Sequence, residues 1–418
     1  MTYLSQSSAR IYSEEADNTS CKTVNINMAG SETAMVKKTQ CNESVLISNL
    51  RRFRDKYIAD ARRPLNQTAT TEMTDGKTPL GSLGSLPVDL QFLIMTLLSP
   101  PDLCLLGATS SYWQVMVRDP LLWRYFLLRD MPHWPSIDHV TMPQLKDLKA
   151  SQFDREEDTD EMQLDPQQDL MAEYLRGCPA CRQRLQPPQQ LYKVVTSLLL
   201  SYVMSAEPRY AMFGPGMEQL DVSIVCRLMH SPVMLPVVET TQRQINGIGS
   251  GISYMYKNQH KFNILTLYST NRAERERARV EHQSVPSKLF ILEGTDQSGR
   301  PIYTPTPQVQ EVCHIVNGFI YVANAEQGEG ELQRARMQAV LGHAKDWSDR
   351  PLLVLSCVSR EDPDLSSLGT RTSCVDMAQR LGLPLLPNPW MVQDTVAESL
   401  SGFLDGISWL LHYSGVRL

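Results

Sequence analysis

The stretch Tyr210–Ser223, YAMFGPGMEQLDVS, contains the residue types of a phosphate-binding loop. An apolar run is followed by two glycines and then by the start of a helical pattern. A helix N-terminus behind a glycine turn directs backbone N–H groups and the positive end of a dipole at an anion. These residue types point to nucleotide chemistry, and the spacing tests that interpretation.

The spacing does not fit a nucleotide site. In the pattern G-x-x-x-x-G-K-[ST], counting from Gly214 places Gln219–Asp221 at the glycine, lysine and hydroxyl positions. Counting from Gly216 recovers the hydroxyl at Ser223 but not the glycine or the lysine. Without the lysine the β/γ-phosphates lose a cation, and an aspartate repels them. We expect the shape of a phosphate loop without nucleotide binding, and a nucleotide-hydrolysing switch is the alternative.

Cysteine and histidine spacing favours neither a metal site nor a catalytic set. The pair Cys178-x-x-Cys181 could supply half of a tetrahedral zinc site, but no second pair lies at finger spacing. A RING domain would need about eight such ligands. The eight histidines form no metal-binding or triad-like signature. We therefore expect no metal, no cofactor and no enzymatic activity in this chain.

Composition narrows the partners and the compartment. A length of 418 residues suggests about three domains, and a net charge of -6 gives no basic field for nucleic acid. No run approaches the roughly 20 apolar residues that cross a bilayer, and the start lacks the apolar core of a signal peptide. Nine cysteines spread over the whole length fit a reducing compartment. We expect a cytoplasmic protein with a nuclear fraction, and no nucleic-acid or membrane partner.

The N-terminal region, residues 1–84, is predicted to be mostly disordered, because residues 1–42 are polar and lack a sustained period. It contains one predicted amphipathic helix over about residues 43–60. Leu46, Leu50, Phe53 and Tyr57 recur there at helical spacing between charged residues. We expect this helix to dock on its own protein, and the small polar residues after it to form a linker.

Residues 85–131 are predicted to form three helices. The first contains Pro87 in its first turn and an apolar stripe from Leu90 to Leu98, and Ser99-Pro100-Pro101 ends it. Asp102 is predicted to cap the second, and a third segment holds Trp113 and Trp123. So small a unit cannot bury this much apolar surface alone, so a partner is implied.

This pattern of leucines, prolines and tryptophans resembles an F-box. The family more often has glutamate where Asp89 stands. The resemblance implies docking to a Skp adaptor, and through it to a cullin scaffold with a RING subunit. The residues that the resemblance assigns to adaptor binding are Leu86, Pro87, Leu90, Ile94, Leu98, Leu103, Leu122 and Trp123.

Residues 132–206 are predicted to be a helical linker. Its acidic stretch from Asp154 to Asp165 is interpreted as a solvated face. The segment LYKVVTSLLLSYVMS has a broad apolar helical face, which either packs in the core or forms a dimer seam. The seam would use Leu191, Val195, Leu198 and Tyr202, and the family resemblance also implies dimerisation in this region.

Residues 207–418 alternate strand-like and helix-like patterns, which predicts an α/β sheet with helices on both faces. The strand candidates are RYAMFG, GISYMYKN, KFNILTLYS, NGFIYVANAE, PLLVLSCVS and LPLLPNPW. This order of elements resembles a small GTPase domain without its nucleotide motifs. RYAMFGPG, QRQINGIGSG, KNQHKFNIL and GFIYVANAE resemble F-box proteins that have such a domain. The predicted fold class is thus multidomain α+β: a three-helix F-box, a helical linker and a GTPase-like α/β domain.

The strand GISYMYKN is predicted to lie at the edge of that sheet. It is joined to the next strand by a short turn, which indicates a hairpin with one antiparallel edge strand. A free edge can accept an added strand from a partner. Ile252, Ser253, Tyr254 and Met255 are therefore the predicted substrate-binding residues.

Together these features predict a non-catalytic substrate receptor of a cullin-RING ubiquitin ligase. The family resemblance implies a telomeric-repeat-binding factor and D-type cyclins as substrates, and a homodimeric receptor. It also implies that residues 1–27 are an upstream extension, since MAGS at Met28 resembles a family N-terminus. A scaffold that binds the adaptor without delivering a substrate is a third interpretation.

Overall fold

A computed structural model describes the chain in segments. The described residues are 47, 49–56, 83–143, 169–185, 207–232, 234–245, 249–268, 288–295, 299, 301–327, 330–342, 349–361, 371–416 and 418. Among them, no helix is both long and apolar enough to cross a bilayer.

The N-terminal half is a cluster of short helices. Their bounds are α1 at 49–56, α2 at Val88–Leu97, α3 at Pro100–Gly107, α4 at Ser111–Val117 and α5 at Pro120–Asp130. The prediction of three F-box helices was wrong in one respect, because the third segment is two helices, α4 and α5. Asp119 separates them: its carboxylate accepts the Leu121 N–H at 2.9 Å and caps α5.

The cap of α3 also differs from the predicted one. Ser99, and not Asp102, is the N-cap, and its hydroxyl accepts the backbone N–H of Asp102 at 3.4 Å. The Ser99 hydroxyl also donates to the Asp102 carboxylate at 2.5 Å. The two prolines after Ser99 occupy the first turn of α3, where a missing N–H costs nothing. The sequence that ends α2 therefore also begins α3.

Helix α1 docks on the helical cluster, as predicted. Phe53 is fully buried, and its ring centroid lies 4.5 Å from that of Phe92 on α2. Lys56 pairs with the buried Asp119 carboxylate at 2.6 Å. The ends of the predicted helix, 43–46 and 57–60, lie outside the described residues. Helix α1 is therefore an integral part of the F-box unit, although the F-box pattern begins near residue 85.

The predicted helical linker contributes a strand as well as helices. Strand β1, Ser136–Asp138, joins the large sheet, and α6, Leu170–Gly177, precedes α7, Pro179–Leu185. The prediction of a purely helical linker was therefore wrong, because β1 pairs antiparallel with a strand some 250 residues later, with Ile137 opposite Val392. The four predicted dimer-seam residues, Leu191, Val195, Leu198 and Tyr202, lie outside the described residues.

The C-terminal half is built on an eight-stranded sheet in the order β1-β10-β9-β8-β2-β5-β4-β3. Strands β10, β9, β8, β2 and β5 are mutually parallel, and β4 and β3 continue antiparallel. The bounds are β2 Arg209–Phe213, β3 Val237–Ile245, β4 Gly249–Tyr256, β5 His260–Leu267, β8 Gly318–Asn324, β9 Leu352–Val358 and β10 Trp390–Val396. The parallel centre, with β2 between β5 and β8, confirms the predicted α/β arrangement.

Helices cover both faces of this sheet. Their bounds are α8 Gly216–Gln219, α9 Ile224–His230, α10 Pro307–Ile315, α11 Glu331–Gly342, α12 Cys374–Leu381 and α13 Phe403–Tyr413. A separate hairpin, β6 Phe290–Thr295 with β7 Pro301–Pro305, lies beside α11. The last predicted strand, LPLLPNPW, was misplaced: its first part is a short 3-10 turn, and β10 begins only at Trp390 because prolines precede it.

One apolar core runs from the helical cluster to one face of the sheet. It joins Phe53, Phe92 and Trp123 to Trp134 and Tyr174 of the linker, and it continues under the helices α10 to α12. A second core, which includes α9 and α13, covers the opposite face. The F-box unit is therefore packed against the sheet domain.

Truncating Phe53 tests the docking of α1. Phe53→Ala leaves a cavity against Phe92, and we expect a loss of about 3 kcal/mol of unfolding free energy, the usual cost of a large-to-small change in a core. Thermal melting of the full chain measures it as a lower Tm. Arg51→Ala on the exposed side of α1 is the matched control and should leave the Tm unchanged. Equal Tm values for both variants would show that α1 does not dock.

Candidate functional site

The eight residues predicted to bind an adaptor fall into two groups. Leu86, Pro87 and Leu90 are exposed, and Ile94 and Leu98 are half-buried. Leu103, Leu122 and Trp123 are fully buried in the chain's own core. The first five present apolar surface, whereas the last three support that surface from inside.

Trp123 shows the supporting role most clearly. Its indole Nε1 donates to the Val117 carbonyl oxygen at 2.6 Å, which ties α5 to the end of α4. Its ring lies 5.7 Å from the Phe126 ring and 5.4 Å from the Tyr174 ring. Its removal would disturb the F-box interior, so its assignment to adaptor contact stays a prediction that a Trp123 variant alone cannot test.

The structure adds apolar side chains that the motif reading did not assign to adaptor contact. Leu93 and Leu97 lie on α2 at helical spacing from Leu90, and Leu97 is 79% exposed. Leu105 on α3 and Val115 on α4 are also exposed, at 68% and 61%. The sequence could have indicated these exposed residues, because the short helices are apolar on more than one side. Packing in the core needs only one apolar side, so the other side is left exposed. A patch of this kind marks an interaction site.

Polar contacts hold the start of α2 and α4 together. The Tyr112 hydroxyl donates to Gln91 Oε1 at 2.6 Å, and Gln91 Nε2 donates to the Leu86 carbonyl oxygen at 2.8 Å. Gln91 is almost fully buried, so these bonds satisfy an amide that would otherwise be costly. Leu86 is thereby fixed next to the exposed stripe of α2.

The glycine loop that resembles a phosphate site is packed against a neighbouring strand. Gly214 has a φ of 132°, and a Cβ on it would lie 2.4 Å from the Val322 carbonyl oxygen. A Cβ on Gly216 would lie 2.8 Å from the Ala323 carbonyl oxygen. Both glycines are explained by this close approach to β8, which no larger residue permits.

The polar groups around that loop bond to one another. Asn324 Nδ2 donates to Gln219 Oε1 at 3.1 Å, which joins the end of β8 to α8. The Asp221 N–H donates to Ser359 Oγ at 3.1 Å, and the Ser359 N–H donates to Glu326 Oε1 at 2.6 Å. The crevice where an α/β fold would bind a nucleotide is bridged by the protein itself. This geometry weighs against the nucleotide-switch alternative.

A buried carboxylate and a buried thiol form an ionisable pair whose pKa values are both raised. Burial raises the pKa of Asp394 while the Arg371 guanidinium, 3.0 Å away, opposes the shift. Burial also raises the pKa of Cys374, whose Sγ donates to Asp394 Oδ1 at 3.1 Å. A nucleophilic cysteine needs a lowered pKa and access to a substrate, and Cys374 has neither. The group is structural: it ties β10 to α12.

The two cysteines at metal-like spacing are buried. Cys178 and Cys181 lie at the start of α7, and the Cys181 N–H donates to the Cys178 carbonyl oxygen at 3.1 Å. Within the described residues, no group of three His, Cys, Asp or Glu side chains could hold a metal ion.

The predicted substrate-binding strand is not at the sheet edge. GISYMYKN belongs to β4, which pairs with β5 on one side and with β3 on the other. Ile252, Ser253 and Tyr254 are buried, Met255 is half-buried, and Asn263 donates to the Ser253 hydroxyl at 3.0 Å. The edge prediction was wrong because VVETTQRQI, a polar run, forms the outer strand β3. Among the described strands, β3 is the outermost on this side of the sheet.

Because the crevice is bridged by protein side chains, we expect the sheet domain to have no affinity for nucleotides stronger than about millimolar. Titration of the full chain with fluorescent GTP and ATP in Mg²⁺ should show no saturable binding below about millimolar concentration. Asn324→Ala removes the bond to Gln219 without adding bulk and should not create binding. A micromolar dissociation constant that Gly214→Val abolishes would contradict this prediction and restore the nucleotide-switch alternative.

Comparison with known proteins agrees with these features. The F-box-like family matches residues 83–129, which contain α2 to α5. "F-box only protein 4" of Mus musculus is 46% identical over 374 residues, covering 88% of this chain and 92% of that protein. The proteins of the same name from Bos taurus and Homo sapiens are 45% and 47% identical, over 88% and 82% of this chain and 92% and 86% of their own. An F-box beside a mixed helix and sheet region is the organisation of a substrate-recognition adaptor. The chain belongs to the F-box only protein 4 family of F-box proteins.

Proposed function

We propose that this chain is the substrate receptor of an SCF-type cullin-RING ubiquitin ligase. Its F-box binds a Skp adaptor, and its sheet domain presents proteins for ubiquitination and proteasomal degradation. One observation carries the proposal: Leu90, Leu93 and Leu97 lie exposed along one side of α2, within the residues that match the F-box-like family. An exposed apolar stripe of this kind marks a site of interaction with a partner.

The energetics favour a stable contact. Covering a leucine side chain completely contributes about 1.5 to 3 kcal/mol, and these side chains are only partly covered within the chain. The F-box interior is already packed around Trp123 and Phe126, so the surface is preformed and little ordering opposes binding.

Catalysis in such a complex is positional. The receptor supplies no nucleophile; it raises the effective concentration of substrate lysines near a charged conjugating enzyme. A non-catalytic receptor is consistent with the raised pKa values of the buried thiols Cys313, Cys357 and Cys374.

The substrates and the assembly are also proposals. Family resemblance supports a telomeric-repeat-binding factor and D-type cyclins as the proteins delivered. It further supports a homodimer through the region between the two domains, where the apolar helical spacing favours Leu191, Val195, Leu198 and Tyr202 as the seam. The nine dispersed cysteines favour work in the cytoplasm, with a nuclear fraction. The net charge of -6 favours protein substrates over nucleic acid.

The free edge of β3 is the proposed substrate-docking strand. The Met255 N–H donates to the Pro236 carbonyl oxygen at 2.9 Å, so these two residues form a hydrogen-bonded pair. In an antiparallel ladder the next residue, Val237, then turns its N–H away from β4, just before the ladder becomes irregular between Val237 and Glu239. Val238 is half-exposed, so apolar surface lies beside this N–H. An extended segment of a substrate can pair there.

Two charges on the α2 stripe test adaptor binding. The double variant Leu90→Asp/Leu97→Asp should lower the binding free energy for the Skp adaptor by about 2 to 4 kcal/mol, because it places charges in an apolar contact. Co-purification of the adaptor with the chain measures the loss. The control is Leu385→Asp, a leucine that is 76% exposed but lies outside the F-box. Circular dichroism checks that both variants stay folded. Full adaptor recovery with the folded double variant would remove the F-box assignment of this surface.

A proline in β3 tests substrate docking. Val237→Pro removes the outward N–H and should abolish capture of a D-type cyclin while adaptor binding stays intact. Val237→Ala is the control, because it shortens the side chain and keeps the N–H. Both are measured by pull-down with the adaptor-bound full chain. If Val237→Pro captures the cyclin as well as Val237→Ala does, the β3 edge is not the docking strand.

A further inference from the structure

The F-box unit and the sheet are joined by a short connection. Helix α5 ends at Asp130 and β1 begins at Ser136, so only residues 131–135 lie between them. A connection this short limits the distance between the two units but does not fix their angle. Helix α6 packs against both sides of it and supplies the missing constraint.

The end of α5, the connection and α6 together form what we call the joint, and the Asp130 carboxylate is its polar centre. Arg129 binds it through Nε at 2.5 Å and Nη2 at 2.9 Å, and the Tyr174 hydroxyl donates to it at 2.7 Å. Arg129 Nη1 also donates to the Thr96 carbonyl oxygen at the end of α2, at 2.8 Å. The Asp130 carboxylate thus links α5 to α6, and the Arg129 side chain that binds it extends the link to α2. Charge-assisted bonds of this kind are strong and directional.

The Tyr174 ring is enclosed by aromatic side chains of α5 and of the connection. The Trp123 and Phe126 rings of α5 lie 5.4 and 5.9 Å away, and the Trp134 ring of the connection lies 5.9 Å away. Burial is the main cause that raises the pKa of Tyr174, with the Asp130 carboxylate second, so the hydroxyl stays a proton donor.

Helix α6 fits against the connection only because a glycine faces it. A Cβ on Gly177 would lie 2.6 Å from Cζ3 of Trp134. Beyond Trp134 the chain enters the sheet: the Asp394 N–H donates to the Pro135 carbonyl oxygen at 2.8 Å, and Ser136 lies opposite Gln393. Tyr174, Trp134 and Pro135 therefore form a continuous set of contacts from α5 to β10.

We propose that Asp130 and Tyr174 are positioning residues, which hold the F-box at one angle to the substrate sheet and so determine which lysines of a bound protein are ubiquitinated. The inference rests on the proposed function, because only a receptor that delivers substrates has such a geometry to keep. Transfer from a conjugating enzyme requires a lysine to reach the reacting thioester, so a change of angle changes the set of lysines within reach.

A distance measurement tests the joint without using the ligase. Cys104 on α3 and Cys226 on α9 are exposed and can carry spin labels, with Cys21 and Cys41 replaced by serine. We expect a narrow distance distribution in the wild-type chain and a broader one in Tyr174→Phe and in Asp130→Asn. Tyr303→Phe in β7 is the matched control and should stay narrow. Equally narrow distributions in all four proteins, each melting cooperatively, would overturn the proposal.

A second measurement tests the consequence for transfer. With the reconstituted ligase and a captured D-type cyclin, Tyr174→Phe should keep adaptor and cyclin binding but slow transfer about tenfold and spread it over more lysines, as mass spectrometry reports. An unchanged lysine pattern despite broader distances would also overturn the positioning role. Failure of the wild-type chain to bind the adaptor would overturn the proposed function, and the distance measurement would then decide whether Asp130 and Tyr174 fix the angle.

Discussion

The pairing of β1 with β10 is the constraint on which the architecture depends. Three residues directly after the F-box unit become the edge strand of a sheet whose other strands begin some 70 residues later. Because β1 must lie in register on β10, Trp134 is placed over Gly177, and Tyr174 is placed under α5. The apolar core can then continue from the F-box to the sheet without a solvent-filled gap. Two units that could have been linked flexibly are packed as one.

This packing separates the F-box residues into a buried set and an exposed set. The four short helices α2 to α5 cannot bury all their leucines, so some leucines form an interior and others remain outside. Leu103, Leu122 and Trp123 pack with the linker and α1, whereas Leu90 and Leu97 face outward. The interior side is thus satisfied within the chain, and the exposed side is left for a partner.

The sheet domain has the backbone shape of a phosphate loop without the side chains that bind phosphate. Its strand, glycine turn and helix keep the geometry of a phosphate loop, but Asn324 bonds to Gln219 and the Asp221 N–H donates to Ser359 across the crevice. Gly214 is required by its close approach to the backbone of β8. A fold of the kind that binds nucleotides in other proteins has its crevice bridged by the protein's own polar groups here.

The sequence by itself determined the F-box, the α/β class and the failure of the phosphate motif, because these depend on residue type at short, regular spacing. The amphipathic pattern of Phe53 likewise predicted that α1 docks. Tertiary structure alone decided that β1 joins β10, that the polar run of β3 covers β4, and that Trp123 is interior. Each of these depends on a partner far along the chain, and the local pattern of one segment contains no information about which distant segment will cover it.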